Sequence, residues 1–175
     1  MTISSKTLGD WLGEFDREAF RLETLDDYSK SGGVDAYRAY LAGEPQPEAY
    51  KAAGWTKTVE KATRAGKRIY RVHILSRPLT DYLRFELSWG YRRNMAVGEE
   101  FFILDTTGGE NPLPDAPDFW LFDERTVGAM EYDAEGAYLG AEFLGESHLA
   151  RFLAYRDTAM ARAVPFPEWW AAYGE

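Results

Sequence analysis

Apolar residues recur at helical spacing near the start of the chain. Leu8, Trp11, Leu12 and Phe15 share one stripe, and Thr7 stands where an N-cap belongs. Phe20-Arg-Leu-Glu-Thr24 fits either a strand or a turn. Gly32-Gly33 interrupts the pattern. Val34, Tyr37, Tyr40 and Leu41 then form a second stripe, closed by Gly43. Beyond the Pro45/Pro47 loop the spacing predicts a third helix, from Pro47 or Thr56 to Ala65. Trp55, Val59 and Ala62 face inward, and Gly66 sits at the C′ position. At Lys67 the period drops to two. Tyr70, Val72 and Ile74 make one apolar face, while Ile69, Arg71, His73 and Leu75 make a mixed one, so a strand to Ser76 is expected.

Pro78 suits the first turn of a fourth helix, running to Gly90 or Arg93 with Leu79, Leu83 and Leu87 as its core stripe. Phe101-Phe-Ile-Leu104 and Asp118-Phe-Trp-Leu-Phe-Asp123 read as strands. Thr126–Tyr132 and Ala137–Leu144 read as a hairpin turning at Asp133-Ala-Glu-Gly136. Glu146 to Ala163 is a long helix stopped by Val164-Pro165, and Pro167 begins a last short one. The order predicts an α+β fold: N-terminal helices followed by β-α-β-β-β-β-α, with a mixed, largely antiparallel sheet. One domain is expected over 1–175, with a helical part at 1–66, a sheet core at 67–163 and a tail helix at 164–175.

Composition narrows the chemistry. With 175 residues, 45 % of them hydrophobic, the chain can build one core. It has no cysteine, so disulfides, thiolate nucleophiles and Cys-ligated metals are excluded. His73 and His148 share no metal-like spacing, and no D-x-D-x-D-G loop is present, so no metal or cofactor is expected. The residues lack a membrane-length apolar run and a signal peptide, which predicts a cytoplasmic protein. The net charge of −9 argues against nucleic acid as a partner. That average hides a basic middle, however, since residues 51–93 hold 11 Lys/Arg and only 3 Asp/Glu.

The candidate site follows from that middle. On the fourth helix Tyr82, Phe85, Glu86, Trp89 and Arg93 lie opposite the leucine stripe, so the helix is covered on much of its circumference. A carboxylate placed among aromatics is paired or neutralised. Glu86 is therefore read either as a structural ion pair, the commoner outcome, or as part of a pocket lined by Arg71, His73, Arg77, Asp81, Tyr82, Glu86 and Arg93. His73 alone fits a hydrogen-bonded packing residue better than a general base. Asp118, Trp120 and Asp123 of the aromatic strand either cap that strand or add a ligand-binding wall. No G-x-S-x-G, P-loop or G-x-G-x-x-G is present.

Phe20-Arg-Leu-Glu-Thr-Leu, Tyr40-Leu-Ala-Gly-Glu44, Arg71 through Glu86, Gly98-Glu-Glu100, Asp118–Asp123 and Ala163-Val-Pro-Phe-Pro167 carry a resemblance. Together they resemble an uncharacterised actinobacterial, Streptomyces-type family labelled a domain of unknown function, often encoded beside helix-turn-helix regulators. The resemblance spans about Leu12 to Trp169 and brings no catalytic residues with it. More faintly, the element order is similar to half of a phospholipase-D-like fold, which serves as a sensor domain in some regulators. The H-x-K-x4-D signature of that fold is absent, because His73 precedes Ile74-Leu75 and His148 precedes Leu149-Ala150.

These readings favour a non-catalytic accessory or regulatory protein. Its expected partners are a helix-turn-helix regulator and a small anionic ligand, with no membrane. The alternative is an enzyme acting on a phosphate-bearing or nucleotide-like substrate, with arginines holding the anion and Glu, Asp or His moving protons.

Overall fold

The computed structural model describes residues 6–174; Met1–Ser5, part of the segment read for a signal peptide, and Glu175 lie outside the described residues. Helix α1 (Leu8–Glu14) begins with a capping box. The Thr7 hydroxyl accepts from the Asp10 N–H, and the Asp10 carboxylate accepts from the Thr7 N–H. The ambiguous Phe20 segment is a strand, β1 (Glu18–Glu23), buried on both faces. That strand sits mid-sheet, so residues 1–66 are not purely helical.

Three short helices lead to the next strand: α2 (Val34–Leu41), α3 (Glu48–Lys51) and α4 (Gly54–Arg64). The expected third helix is thus split in two, and the expected stripe of α2 is corrected. Val34 and Leu41 are exposed, whereas Ala36 and Ala39 are buried. Strand β2 (Arg68–Leu75) matches the period-two pattern. The fourth helix starts from the Thr80 cap, leaving Pro78 outside it. It runs as α5 (Asp81–Phe85), a π-helical stretch over Glu86–Tyr91, and α6 (Arg92–Met95). Then come β3 (Glu100–Asp105), β4 (Phe119–Phe122), β5 (Thr126–Tyr132), β6 (Tyr138–Leu144), α7 (Leu149–Arg162), a two-residue β7 (Val164–Pro165) and α8 (Phe166–Tyr173).

The sheet is mixed, in the order β6-β5-β4-β1-β2-β3-β7. β1, β2 and β3 run parallel in its middle, and the remaining pairings are antiparallel. One face is apolar over its centre. Phe20, Leu22, Tyr70, Val72, Ile74 and Leu104 pack there with Phe152 and Ala159 of α7. Both parallel connections cross on the other face. At one end α4 covers Ala19 and Ile69 with Val59 and Ala62. At the other, Leu83, Leu87 and Tyr91 cover Leu75, Phe101 and Ile103. Between these two apolar seals lies a strip of polar residues from β1 and β2. Arg21, Glu23, Arg71 and His73 make up that strip.

Gly98, just before β3, sets how closely α4 approaches the strand. Its φ is +108°, and a Cβ there would lie 2.6 Å from Thr63 Cγ2. The Thr63 hydroxyl meanwhile donates to the Val97 carbonyl at 2.8 Å. Gly98→Ala is therefore expected to destabilise the fold by about 1–3 kcal/mol, the usual cost of a strained backbone conformation. Urea unfolding measures this, and an unchanged midpoint contradicts the account.

Candidate functional site

The register of the parallel strands aligns Arg21 with Arg71, and Glu23 with His73. Trp120 of β4 pairs with Arg21 on its other side, while Phe101 of β3 pairs with Arg71. Two guanidinium groups thus lie side by side on neighbouring strands, below the surface. Like charges so placed need carboxylates, and three supply them: Asp118, Glu23 and Glu99.

Arg71 donates through Nε and Nη2 to Glu99 Oε1 at 2.8 and 2.5 Å, and through Nη1 to Glu23 Oε1 at 3.0 Å. Glu99 also accepts from the Trp55 indole at 2.8 Å. Arg21 donates to Asp118 at 3.1 Å and to the Tyr132 hydroxyl at 3.1 Å, and it touches the Met130 sulfur. Asp118 accepts further from the Thr24 N–H and hydroxyl and from the Tyr28 hydroxyl, at 2.5–2.9 Å. The Arg71 guanidinium lies within 6 Å of the Trp55, Phe101 and Trp120 ring centres, close enough for cation–π attraction.

His73 is fully buried beside these pairs. Its Nε2 lies 2.8 Å from the Leu25 carbonyl, which can only accept, so Nε2 carries the ring proton. Nδ1 faces the Tyr91 hydroxyl at 2.8 Å and Glu86 Oε2 at 4.0 Å. An α-helix would turn residues 86 and 91 about 140° apart, at roughly 100° per residue. The π-helical stretch, with its i→i+5 bonding, brings both to one side, over His73. The Tyr91 hydroxyl also lies 3.2 Å from Glu23 Oε1.

The carboxyls of Glu23 and Glu86 are set apart by their surroundings. Burial alone would raise Glu23, but Arg71, with His73 and Arg21 behind it, holds it at about 2. Burial, then the neighbouring charge of Glu23, pushes Glu86 well above the usual carboxylate range. The protonated form of the Glu86 carboxyl is thereby favoured. Its Oε2 is buried and has no hydrogen-bond partner.

Above this floor opens a cleft of about 390 Å³. Its walls include Tyr28, Tyr50, Trp55, Tyr82, Phe85 and Trp120, and Arg21, Arg71, Glu86 and Arg93 reach into it. Arg93 stacks over the Tyr50 ring at 4.1 Å and donates to the Tyr50 carbonyl and to the Asn94 side chain. Its hydrogen-bond partners are neutral.

The comparisons attach a family to this geometry. Residues 6–171 match a family described as a domain of unknown function, DUF6879. The chain belongs to that family. No curated protein matches it. Since the match covers nearly the whole chain, the cleft and the strip beneath it lie inside the DUF6879 domain.

Of the residues expected at the site, the DUF6879 fold gathers Arg71, Tyr82, Glu86, Arg93 and Trp120 at the cleft, with His73 and Asp118 beneath it. Three lie elsewhere. Arg77 pairs with Asp105 at 2.7 Å and stacks on Tyr173. Asp81 is exposed at the start of α5, 3.5 Å from Arg84. Asp123 turns away and accepts from the backbone N–H groups of Asp16, Arg17 and Glu18, so it anchors the start of β1. Arg21, Glu23, Glu99 and Tyr91 were not anticipated. The alternation of Arg21 and Glu23 along β1 was the available signal, and it was obscured while that segment stood between strand and turn.

Two predictions follow from the charges. Arg71→Met strands Glu23 and Glu99 without their partner, at an expected cost of about 3–5 kcal/mol, as for breaking a buried pair. Asp81→Asn is expected to change stability by no more than about 0.5 kcal/mol, as for an ordinary surface substitution. Equal losses in urea unfolding would refute the distinction. The second concerns Asp105. Burial would raise it, but bonds from Thr107, Trp169 and Arg77 lower it from 3.8 to about 2. A lowered carboxyl adds stability above its unfolded value, and that stability is lost as pH falls through the folded one. Between pH 4 and 2 the wild type should lose more stability than Asp105→Asn, so parallel pH profiles would count against this assignment.

Proposed function

We propose that this protein is a non-catalytic accessory protein of the cytoplasm that holds a small anionic molecule in the cleft. Its partner is a helix-turn-helix regulator of an actinobacterial genome, which reads the bound state. The observation that carries the reading is the cleft itself. Its volume lies in the usual range for small-ligand sites, roughly 300–1,000 Å³, and aromatic walls stand over a polar floor. Arg93 supplies the cation. The ion pairs of Arg21 and Arg71 are already made, whereas the hydrogen bonds of Arg93 go to neutral oxygens. Its charge remains for a ligand. Glu86 lines the same cleft, with its carboxyl pushed well above the usual carboxylate range by burial and the charge of Glu23. Among the described residues no helix is long and apolar enough to cross a membrane.

One observation favours an enzyme as the second reading. A carboxyl that keeps its proton inside a cleft is what general-acid catalysis of phosphate chemistry needs. The accessory reading ranks first because the arginines assigned to hold the anion in the enzyme are spent on Asp118, Glu23 and Glu99.

Calorimetric titration of small phosphates and carboxylates, with a chelator present, tests the proposal. Wild type should bind at least one of them. Arg93→Gln should bind it about tenfold or more weakly, the loss of one charge-assisted hydrogen bond. Absence of any binder, or equal affinity in Arg93→Gln, removes the proposal.

A further inference from the structure

The buried charges of the floor do not balance. Arg21 is matched by Asp118 and Arg71 by Glu99. Glu23 and Glu86 remain, beside a histidine whose Nε2 proton is already committed to the Leu25 carbonyl. With both carboxyls ionised the remainder is two negative charges, at a place where water is largely excluded.

One Glu23 oxygen, one Glu86 oxygen and a ring nitrogen of His73 all lie within 4.8 Å of one another. The Nδ1–Oε2 separation of 4.0 Å is spanned by two bonds of about 2.1 Å each, the length typical of nitrogen and oxygen ligands to zinc. The Tyr91 hydroxyl borders the same space, 2.8 Å from Nδ1 and 3.2 Å from Glu23. The bond from Nε2–H to a backbone carbonyl is the outer support that a metal-binding histidine ordinarily has, and it fixes the tautomer that leaves Nδ1 unprotonated, as an acceptor now facing the Tyr91 hydroxyl. Glu86 Oε2 is buried without a hydrogen-bond donor. Glu86 is also the first residue of the π-helical stretch, a distortion that recurs at functional sites.

We propose that Glu23, His73 and Glu86 form a binding site for one divalent transition-metal ion at the floor of the cleft. An imidazole with two carboxylates suits Zn²⁺ or Mn²⁺ better than Ca²⁺, which takes oxygen ligands only. Held by the two carboxylates, a divalent ion brings the remaining buried charge to zero. Arg71 does not oppose it, because its charge is matched by Glu99 and its bond to Glu23 falls on Oε1, leaving the other oxygen of that carboxylate. The side of the ion that faces the cleft is open to water or to a ligand oxygen. The inference deepens the anion-binding reading, since an ion there adds positive charge beneath an anion held by Arg93.

The test uses the metal alone on chelator-treated full-length protein, by calorimetry with Zn²⁺ and Mn²⁺. Wild type and His148→Ala, which lacks the exposed second histidine, should each bind one equivalent. Glu86→Gln, nearly isosteric, should bind at least tenfold more weakly. Pulsed electron paramagnetic resonance of the Mn²⁺-loaded His148→Ala protein should show coupling to one imidazole nitrogen, and this decides the matter if Glu86→Gln fails to fold. No saturable binding, equal affinity in Glu86→Gln, loss of binding in His148→Ala, or no nitrogen coupling would each overturn the site. Because the anion titrations contain chelator, either proposal can fail while the other stands.

Discussion

Two arginines lie side by side on adjacent parallel strands, and much of the polar face follows from having to accommodate them. Arg21 and Arg71 share a register position under the gap between the two crossover connections. Removing two guanidinium groups from water is costly unless each meets a well-placed carboxylate with its own hydrogen bonds satisfied. Asp118 fills that role for Arg21, and Glu99 with Glu23 fills it for Arg71. The carboxylates are held in turn by Thr24, Tyr28 and Trp55. Residues from β1, β2, the loop after β1, the segment before β3 and the start of β4 are thereby tied into one network. The centre of the opposite face is apolar and packs against α7, whose Arg156 reaches Glu18 and the Tyr70 hydroxyl at its edge.

That division explains where the cleft is. Right-handed parallel connections put their helices on one side of the sheet. Here α4 seals one end of that side and the α5-to-α6 segment seals the other. The strip between them cannot be closed by hydrophobic side chains, because its floor is charged. It stays open, and aromatic rings from α3 to α5 stand around the opening. The most unusual group there is Glu86, which burial and then the charge of Glu23 hold well above the usual carboxylate range, while the guanidinium of Arg71 pulls the other way.

Much of the architecture was legible in the sequence because its signals are local. The capping residue Thr7, the change of period at Lys67, the hairpin turn at Asp133–Gly136 and the glycine after α4 each depend on neighbours within a few positions. The mixed face of β2 marked Arg71 and His73 as unusual, and the aromatic surroundings of Glu86 marked that carboxyl. Resemblance to a domain of unknown function extended over nearly the whole chain, and the family match confirms that much.

Other features were beyond a linear reading. β1 is short and carries three charges, so its sequence alone does not distinguish a central strand from a turn; its place between β2 and β4 decides that. Of the helical stripe expected of α2, Tyr37 and Tyr40 pack against Tyr82 and Phe85, whereas Val34 and Leu41 stay exposed. Arg77, Asp81 and Asp123 look equivalent to Arg71 and Glu86 in composition, but the fold spends them on Asp105, Arg84 and the start of β1. The π-helical turn changes the angle between Glu86 and Tyr91, which no ideal helical wheel includes. Local periodicity therefore determined which segments form elements and which face of β2 is polar. Only tertiary structure decided which charges meet, because strand register and helix distortion depend on contacts between residues distant in sequence.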